Sequence, residues 1–323
     1  MATAAERNPI RNRGLKLIPY ENHDEWLKIR RGHLGGTDAG AIIGLNLYSS
    51  PFSVWAEKTE QVPEFEGNVS TKVGTYLEDL VAKMFAEETG KKIQRFNFTI
   101  VNHDLPWACA NIDREIIGED ALLEIKTTSS WDVSKMTRNG QYPDQWYCQM
   151  SHYLAVTGCK KAYLAVLVEC KEFKIFELER NEDELRALMS AEKDFWDNYI
   201  VPRKMPPVDG HSATTEAIRK IFPQEMLPEA DLSDCYDLFS SRKTLTESKK
   251  KIQAEIDAIE NDIKVRMGLA ATGKCGAFSV SWKTQRSSAL DRDAIKADYP
   301  DIDFTKYTKE SRVFRINEKK GAK

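Results

Sequence analysis

The stretch ANIDREIIGEDALLEIKTTSS, residues 110–130, reads as a buried hairpin into which three charged side chains are placed among apolar ones. Asp113, Glu124 and Lys126 alternate with Ile112, Ile116, Leu122, Leu123 and Ile125. The run Ile117-Gly118-Glu119-Asp120 has the residue types of a tight turn, so the stretch reads as a hairpin centred between 118 and 119. Asp113 then lies directly opposite Glu124, with Cβ atoms roughly 5 Å apart. Lys126, two residues further on, shares their face. Two facing carboxylates resist ionisation unless a cation lies between them. A hard divalent ion with oxygen ligands, Mg²⁺ or Mn²⁺, is the simplest such cation. A lysine beside that ion can orient or deprotonate water, and the set together suits phosphodiester hydrolysis. The same three residues also fit a cross-strand salt bridge on a solvated face, so their neighbours must decide.

Glu78 belongs to a helix predicted over 70–90, capped by Ser70 and stopped by Gly90, with an apolar stripe of Val73, Leu77, Leu80, Val81, Met84 and Phe85. At 100° per residue Glu78 lies about 60° from Val81 and about 20° from Phe85. It therefore sits at the edge of the stripe, as a metal ligand or as an edge glutamate with its head in water. On a helix over 143–157, Trp146, Gln149 and Tyr153 share one face, and Gln149 points inward. A buried glutamine needs a hydrogen-bond partner, which a water, a phosphate or the backbone would supply. Near the N-terminus Arg30 precedes Gly35-Gly36-Thr37-Asp38. Glycine amides, a helix start, the Thr37 hydroxyl and a bidentate arginine would bind a terminal phosphate. Asp38 opposes this unless it caps the helix and points away. An ordinary glycine turn before a helix capped by Thr37 and Asp38 reads equally well.

Helices over 21–32, 35–44, 50–60, 70–90, 143–157 and 181–199, and strands over 93–101, 107–116, 121–127, 161–168 and 172–178, must position these groups. They make residues 23–200 one α/β core, preceded by a flexible arm at 1–22 and followed by a linker at 201–229 with three prolines between 202 and 207. The extension at 230–323 holds a long helix over 230–267, with Leu238, Leu245, Ile252 and Ile259 seven apart in coiled-coil fashion. Strands are expected at 277–284 and 312–316, and Trp282, Lys283 and Arg286 are candidate contacts to single-stranded DNA, with Trp282 as a core residue the favoured alternative.

The 323 residues are 41% hydrophobic and 30% charged, ordinary for a soluble protein with a real core. Forty-seven basic against 50 acidic side chains give a net charge of −3, so any DNA-binding surface must be local. No apolar run approaches the roughly 20 residues that span a bilayer. The N-terminus has no secretory h-region. Six cysteines without a CxxC pair argue against a zinc ribbon, an iron–sulfur cluster and a disulfide framework, and imply reduced cytoplasmic thiols.

WLKIRRGHLGGTDAGAIIG, GTYLEDL, ANIDREI…LLEIKT and QMSHYLAVTG, taken in that order, resemble the YqaJ-type viral recombinase family. These are phage-lambda-type alkaline exonucleases of the PD-(D/E)xK superfamily, and the likeness covers about residues 23–200. It implies a restriction-endonuclease-like α/β core, a central mixed sheet flanked by helices. It also implies degradation of one strand of linear duplex DNA from its 5′ end with Mg²⁺, two ions, for which Mn²⁺ substitutes. On this resemblance Asp113, Glu124, Glu78 and the Ile125 carbonyl are metal ligands, Lys126 is the catalytic lysine and Gln149 holds the site. Arg30 and Thr37 match positions that contact the 5′ phosphate, and Asn111 and Tyr153, in the same blocks, are candidate DNA-binding residues. Asn111 replaces the serine of the lambda-like enzyme, Ile112 replaces its proline, and Trp131-Asp132 follow EIKTTSS where that enzyme has an arginine for the 5′ phosphate.

The resulting expectation is a cytoplasmic 5′-to-3′ exonuclease, of a bacterium or its prophage, that leaves 3′ overhangs for homologous recombination. Its partners would be duplex DNA ends, a single-strand annealing protein and further copies of itself in a ring trimer. An endonuclease of the same superfamily, acting in restriction or repair, is the alternative. A DNA-binding module without catalysis is a third.

Overall fold

The computed structural model describes residues 9–63, 67–285, 292–299, 301–303 and 314–316. Its chain divides into two units, Met1–Pro223 and Gln224–Lys323.

In the first unit, strand β1 (Lys16–Pro19) precedes helix α1 (His23–Arg31), the short strand β2 (Leu34–Gly35) and helices α2 (Gly36–Ile42), α3 (Pro51–Lys58) and α4 (Val69–Thr89). Strands β3 (Ile93–Arg95), β4 (Phe98–Val101), β5 (Ala108–Cys109), β6 (Arg114–Ile116) and β7 (Ala121–Thr128) follow. Helices α5 (Trp131–Arg138) and α6 (Asp144–Thr157) lead to β8 (Lys161–Val168), β9 (Glu172–Glu179), α7 (Glu182–Phe195) and α8 (Ser212–Ile221). The central sheet is mixed, in the order β3-β6-β7-β8-β9. β6 and β7 form an antiparallel hairpin, α5 and α6 make the crossover, and β8 returns parallel to β7. This is the expected α/β class, with helices on both faces of the sheet.

The period of two divides β7 between two cores. Ala121, Leu123 and Ile125 pack with Val81 and Phe85 of α4. Leu122 belongs to the larger core, with Met150 and Leu154 of α6. Glu124 is therefore on the α6 face, inside the sheet, 3% exposed. The α4 stripe is narrower than its periodicity predicts. Val81, Ala82 and Phe85 are buried and Leu77 and Met84 pack partly against them, whereas Val73 and Leu80 are exposed. The cap of α4 is Asn68, two residues before Ser70, and Gly90 stops it at φ 67°.

The segment expected as a flexible arm is bound to the sheet from residue 10 onward. Ile10 is 1% exposed, Arg11 Nε donates to Glu115 at 2.7 Å, and β1 pairs with β4. Burial of one isoleucine and a paired strand outweighs the basic, hydrophilic look of the segment. The expected linker at 201–229 likewise contains α8, whose buried Thr214 hydroxyl donates to Ser50 at 2.7 Å.

In the second unit, helix α9 (Tyr236–Met267) precedes a hairpin of β10 (Thr272–Cys275) and β11 (Phe278–Ser281), and helix α10 (Arg292–Asp298). The strand expected at 312–316 lies partly outside the described residues, and residues 314–316 are irregular. Trp282 is half exposed just past β11, not in a core, and Arg286 lies outside the described residues.

Candidate active site

The hairpin register sets the site. Arg114 lies opposite Leu123, and the same register carried one step further brings Asp113 opposite Glu124. Asp113 Oδ2 accepts from the Ile125 amide at 2.7 Å, which ties the aspartate to the strand that bears its partner carboxylate. Glu124 Oε1 receives Lys126 Nζ at 2.6 Å and Gln149 Nε2 at 2.8 Å. Gln149 Nε2 also lies 3.1 Å from the Tyr153 hydroxyl, one turn along α6. The buried glutamine thus finds its partner in a carboxylate.

These groups line one cavity of about 880 Å³, together with Arg30, Thr37, Glu78 and Asn111. Burial, then repulsion by Glu124 and Glu78, pushes the Asp113 carboxyl well above its ordinary range. Burial also raises Glu124, although Lys126 and Gln149 pull against it. Burial and the nearby Glu124 raise Tyr153, so its hydroxyl keeps its proton.

A divalent ion fits this pair of carboxylates. Both are held by burial and mutual repulsion in a form that a cation would reverse, and Glu124 Oε2 is buried without a hydrogen-bond partner. Glu78 stands apart. Its carboxylate is taken by Arg114, and Arg95 Nη2 approaches it at 3.3 Å. Arg114 follows Asp113 and so points to the opposite face, toward α4, where it also holds Asp79 at 2.6 Å. Among the described residues no three His, Cys, Asp or Glu side chains are gathered as a finished metal cage.

At the other end of the cavity Arg30 Nη2 donates to Thr37 Oγ1 at 2.6 Å. The cap of α2 is Gly35, not Thr37 or Asp38, and Asp38 accepts the Gly35 amide at 2.8 Å from inside the first turn. Lys58 of α3 meets Asp38 at 2.8 Å and donates to the Arg30 carbonyl at 3.0 Å. Burial opposes the Asp38 charge, but Lys58 and Arg30 outweigh it and hold the carboxyl below its usual value. Asp38 is thereby neutralised by a lysine, and the Arg30 guanidinium stays 3.9 Å from it. Asn111 lines the cavity while its amide donates to Thr99 at 2.8 Å.

Lys58 and Arg114 were not singled out from the sequence. Each carried a signal. Lys58 falls on the apolar face of its helix, four residues after Val54, where a buried cation demands an acid. Arg114 sits between Ile112 and Ile116, where the same demand applies.

The family model described as YqaJ-like viral recombinase domain matches residues 25–160. The chain is 33% identical over 305 residues to the uncharacterized protein YqaJ of Bacillus subtilis (strain 168), covering 91% of this chain and 93% of that one. Among solved structures it is similar to an alkaline exonuclease from Laribacter hongkongensis, at TM-score 0.47 and 18% identity over 56% of this chain and 96% of that one. It is also similar to a phage related exonuclease from Haemophilus somnus 129PT, at TM-score 0.42 and 13% identity over 55% of this chain and 99% of that one.

Proposed function

We propose that this chain, which belongs to the YqaJ-like viral recombinase family, is a Mg²⁺-dependent nuclease of recombination that degrades one strand of linear duplex DNA from its 5′ end. The observation that carries the reading is the convergence on Glu124. Lys126 and Gln149 reach one of its oxygens, and Asp113 faces it from the paired strand.

On this reading Asp113, Glu124 and the Ile125 carbonyl would hold two Mg²⁺ ions, or Mn²⁺ in their place, and Glu78 would join them as a further ligand only by giving up its ion pair with Arg114. When bound, such ions supply Lewis acidity to the phosphodiester and to the attacking water. The protein's own part is positional and electrostatic. Lys126 and Gln149 fix one Glu124 oxygen and leave the other buried without a hydrogen-bond partner. Lys126, an N–H donor at the cavity wall, orients the water and handles its proton. Tyr153, kept protonated, donates a hydrogen bond. Arg30 and Thr37 receive the 5′-terminal phosphate, which is where the neutralisation of Asp38 by Lys58 matters. Asn111 forms part of the DNA-contacting wall. The product is a 3′ overhang, suited to a single-strand annealing partner in the cytoplasm of a bacterium or prophage host. A ring of three copies, as the family resemblance implies, would account for processive action without a basic overall charge. Among the described residues no helix is long and apolar enough to cross a membrane.

The test compares linear duplex with a 5′ phosphate, linear duplex with a 5′ hydroxyl and a sealed circle, each with Mg²⁺. The phosphorylated linear duplex is shortened, the circle survives, and Lys126→Ala loses the activity. Cutting of the sealed circle would transfer the assignment to an endonuclease. Failure of Mg²⁺ and Mn²⁺ to bind in calorimetry would leave a DNA-binding module.

A further inference from the structure

Helix α9 runs for 32 residues, about 48 Å. Leu238, Leu245, Ile252 and Ile259 recur every seven residues, and Ile256 and Ile263 follow the last two by four. These are the d and a positions of a heptad, and all six side chains are exposed, Leu245 by 70% and Ile259 by 63%. A stripe with this repeat matches the surface of another helix. The other two a positions hold Arg242 and Lys249.

The charges select both partner and orientation. In a parallel pair Arg242 would meet Arg242 and Lys249 would meet Lys249 within the seam, and Glu255 would approach Glu260 across the flank. All three contacts repel. In an antiparallel pair Ile263 packs on the partner's Leu238, and Ile256 on the partner's Leu245. Arg242 then lies beside the partner's Ile259 and next to the partner's Glu260. Lys249 lies beside the partner's Ile252 and next to the partner's Gln253. The N-terminal half of the helix is net basic and the C-terminal half net acidic, so only head-to-tail pairing of identical helices sets unlike halves together. Within its own helix Glu260 is only 3.3 Å from Lys264 at the fourth position onward, an exposed pair that leaves it open to a second cation.

We infer that α9 pairs with α9 of a second copy of this chain as an antiparallel two-helix coiled coil. The contact is two-fold and independent of the nuclease reading. With a three-fold ring it would join two rings.

The experiment measures the mass of the full-length protein in solution by sedimentation equilibrium. Ile252→Asp combined with Ile259→Asp halves the mass of the assembly. Arg242→Glu alone and Glu260→Arg alone each weaken association roughly ten-fold, with helix content unchanged by circular dichroism. Combining the two reversals restores association, because the contact is remade with its charges exchanged. A single-chain mass for the unaltered protein overturns the inference, and the stripe is then covered by another segment or another protein. A mass indifferent to the aspartates overturns it too. So does absence of rescue in the doubly reversed variant, which retains the helix and so answers the question even if the aspartate variant unfolds.

Discussion

Asp113 Oδ2 accepts a hydrogen bond of 2.7 Å from the amide of Ile125, so one carboxylate is braced by the strand that carries the other. The brace holds two acids together at a cost in stability. A carboxyl raised above its unfolded value stabilises the fold below that value, about pH 4, and loses the contribution as pH rises through the folded value. For Asp113 the shift is upward, so the metal-free protein loses stability as pH rises from about 4 towards alkaline values. Asp113→Asn keeps an oxygen for the Ile125 amide and removes the charge. The variant is expected to melt higher than the parent at the upper pH in chelator, and to lose hydrolysis by at least about 10³-fold. Added Mg²⁺ raises the melting temperature of the parent only. A variant that melts lower than the parent in chelator would contradict this account of the pair.

Lys58 neutralises Asp38 beneath Arg30. Lys58→Met strands a buried carboxylate and is expected to cost about 3–5 kcal/mol in chemical denaturation. Asp38→Asn added to it recovers most of that loss, although the Gly35 amide then bonds a weaker acceptor. The single variant also draws Arg30 toward Asp38, so preference for 5′-phosphorylated over 5′-hydroxyl ends falls while the rate on either end in excess changes less. Equal losses on both ends would show that Lys58 acts on the fold alone.

Much of this arrangement was legible in the chain. The hairpin register followed from one glycine turn and alternating residues, and β8 from an apolar run, 162–168, that fills the strand after its first residue. Gln149 was legible as buried because α6 is apolar on the face that it shares with Trp146 and Tyr153. What escaped were contacts between residues far apart in sequence. Nothing local connects Arg11 with Glu115, Lys58 with Asp38 or Arg114 with Glu78. The α4 stripe misled for the opposite reason. Periodicity marks which face is apolar, whereas burial requires a neighbouring element to cover each residue, and Val73 and Leu80 are 44% and 49% exposed.

Gly36 admits the close approach of α2 to α6. A Cβ there would stand 2.6 Å from the Tyr153 ring and 3.0 Å from both Cγ and the carbonyl of Gln149. Gly36→Ala must therefore push the helices apart, at about 1–3 kcal/mol of overpacking, and with them the amide that holds Glu124. Activity is expected to fall at least ten-fold with DNA affinity less affected. At Gly35 the nearest atom to an added Cβ is 3.7 Å away, so Gly35→Ala serves as the control. Full activity in Gly36→Ala would mean that Gln149 is not needed where it lies.

His152 and Glu192 form a fully buried pair at 2.8 Å, linking α6 to α7, while His152 Nε2 lies 2.9 Å from the Cys109 carbonyl in the chain that leads to Asp113. Burial disfavours the charged imidazole, but Glu192 outweighs it and raises His152. Burial raises Glu192 as well, against the pull of His152. Both shifts have the same sign. Each group stabilises the fold below its unfolded value, about 4 for glutamate and about 6.5 for histidine, and the contribution fades as pH rises through the folded values. Melting temperature should therefore decline as pH rises, above about 4 through Glu192 and more steeply above about 6.5 through His152. His152→Ala leaves Glu192 unpaired and is expected to cost about 3–5 kcal/mol. His152→Phe with Glu192→Leu keeps the volume, removes both charges and flattens the decline, at a residual cost of about 1–3 kcal/mol for the deserted Cys109 carbonyl. A decline as steep in the double variant as in the parent would place the titrating group elsewhere.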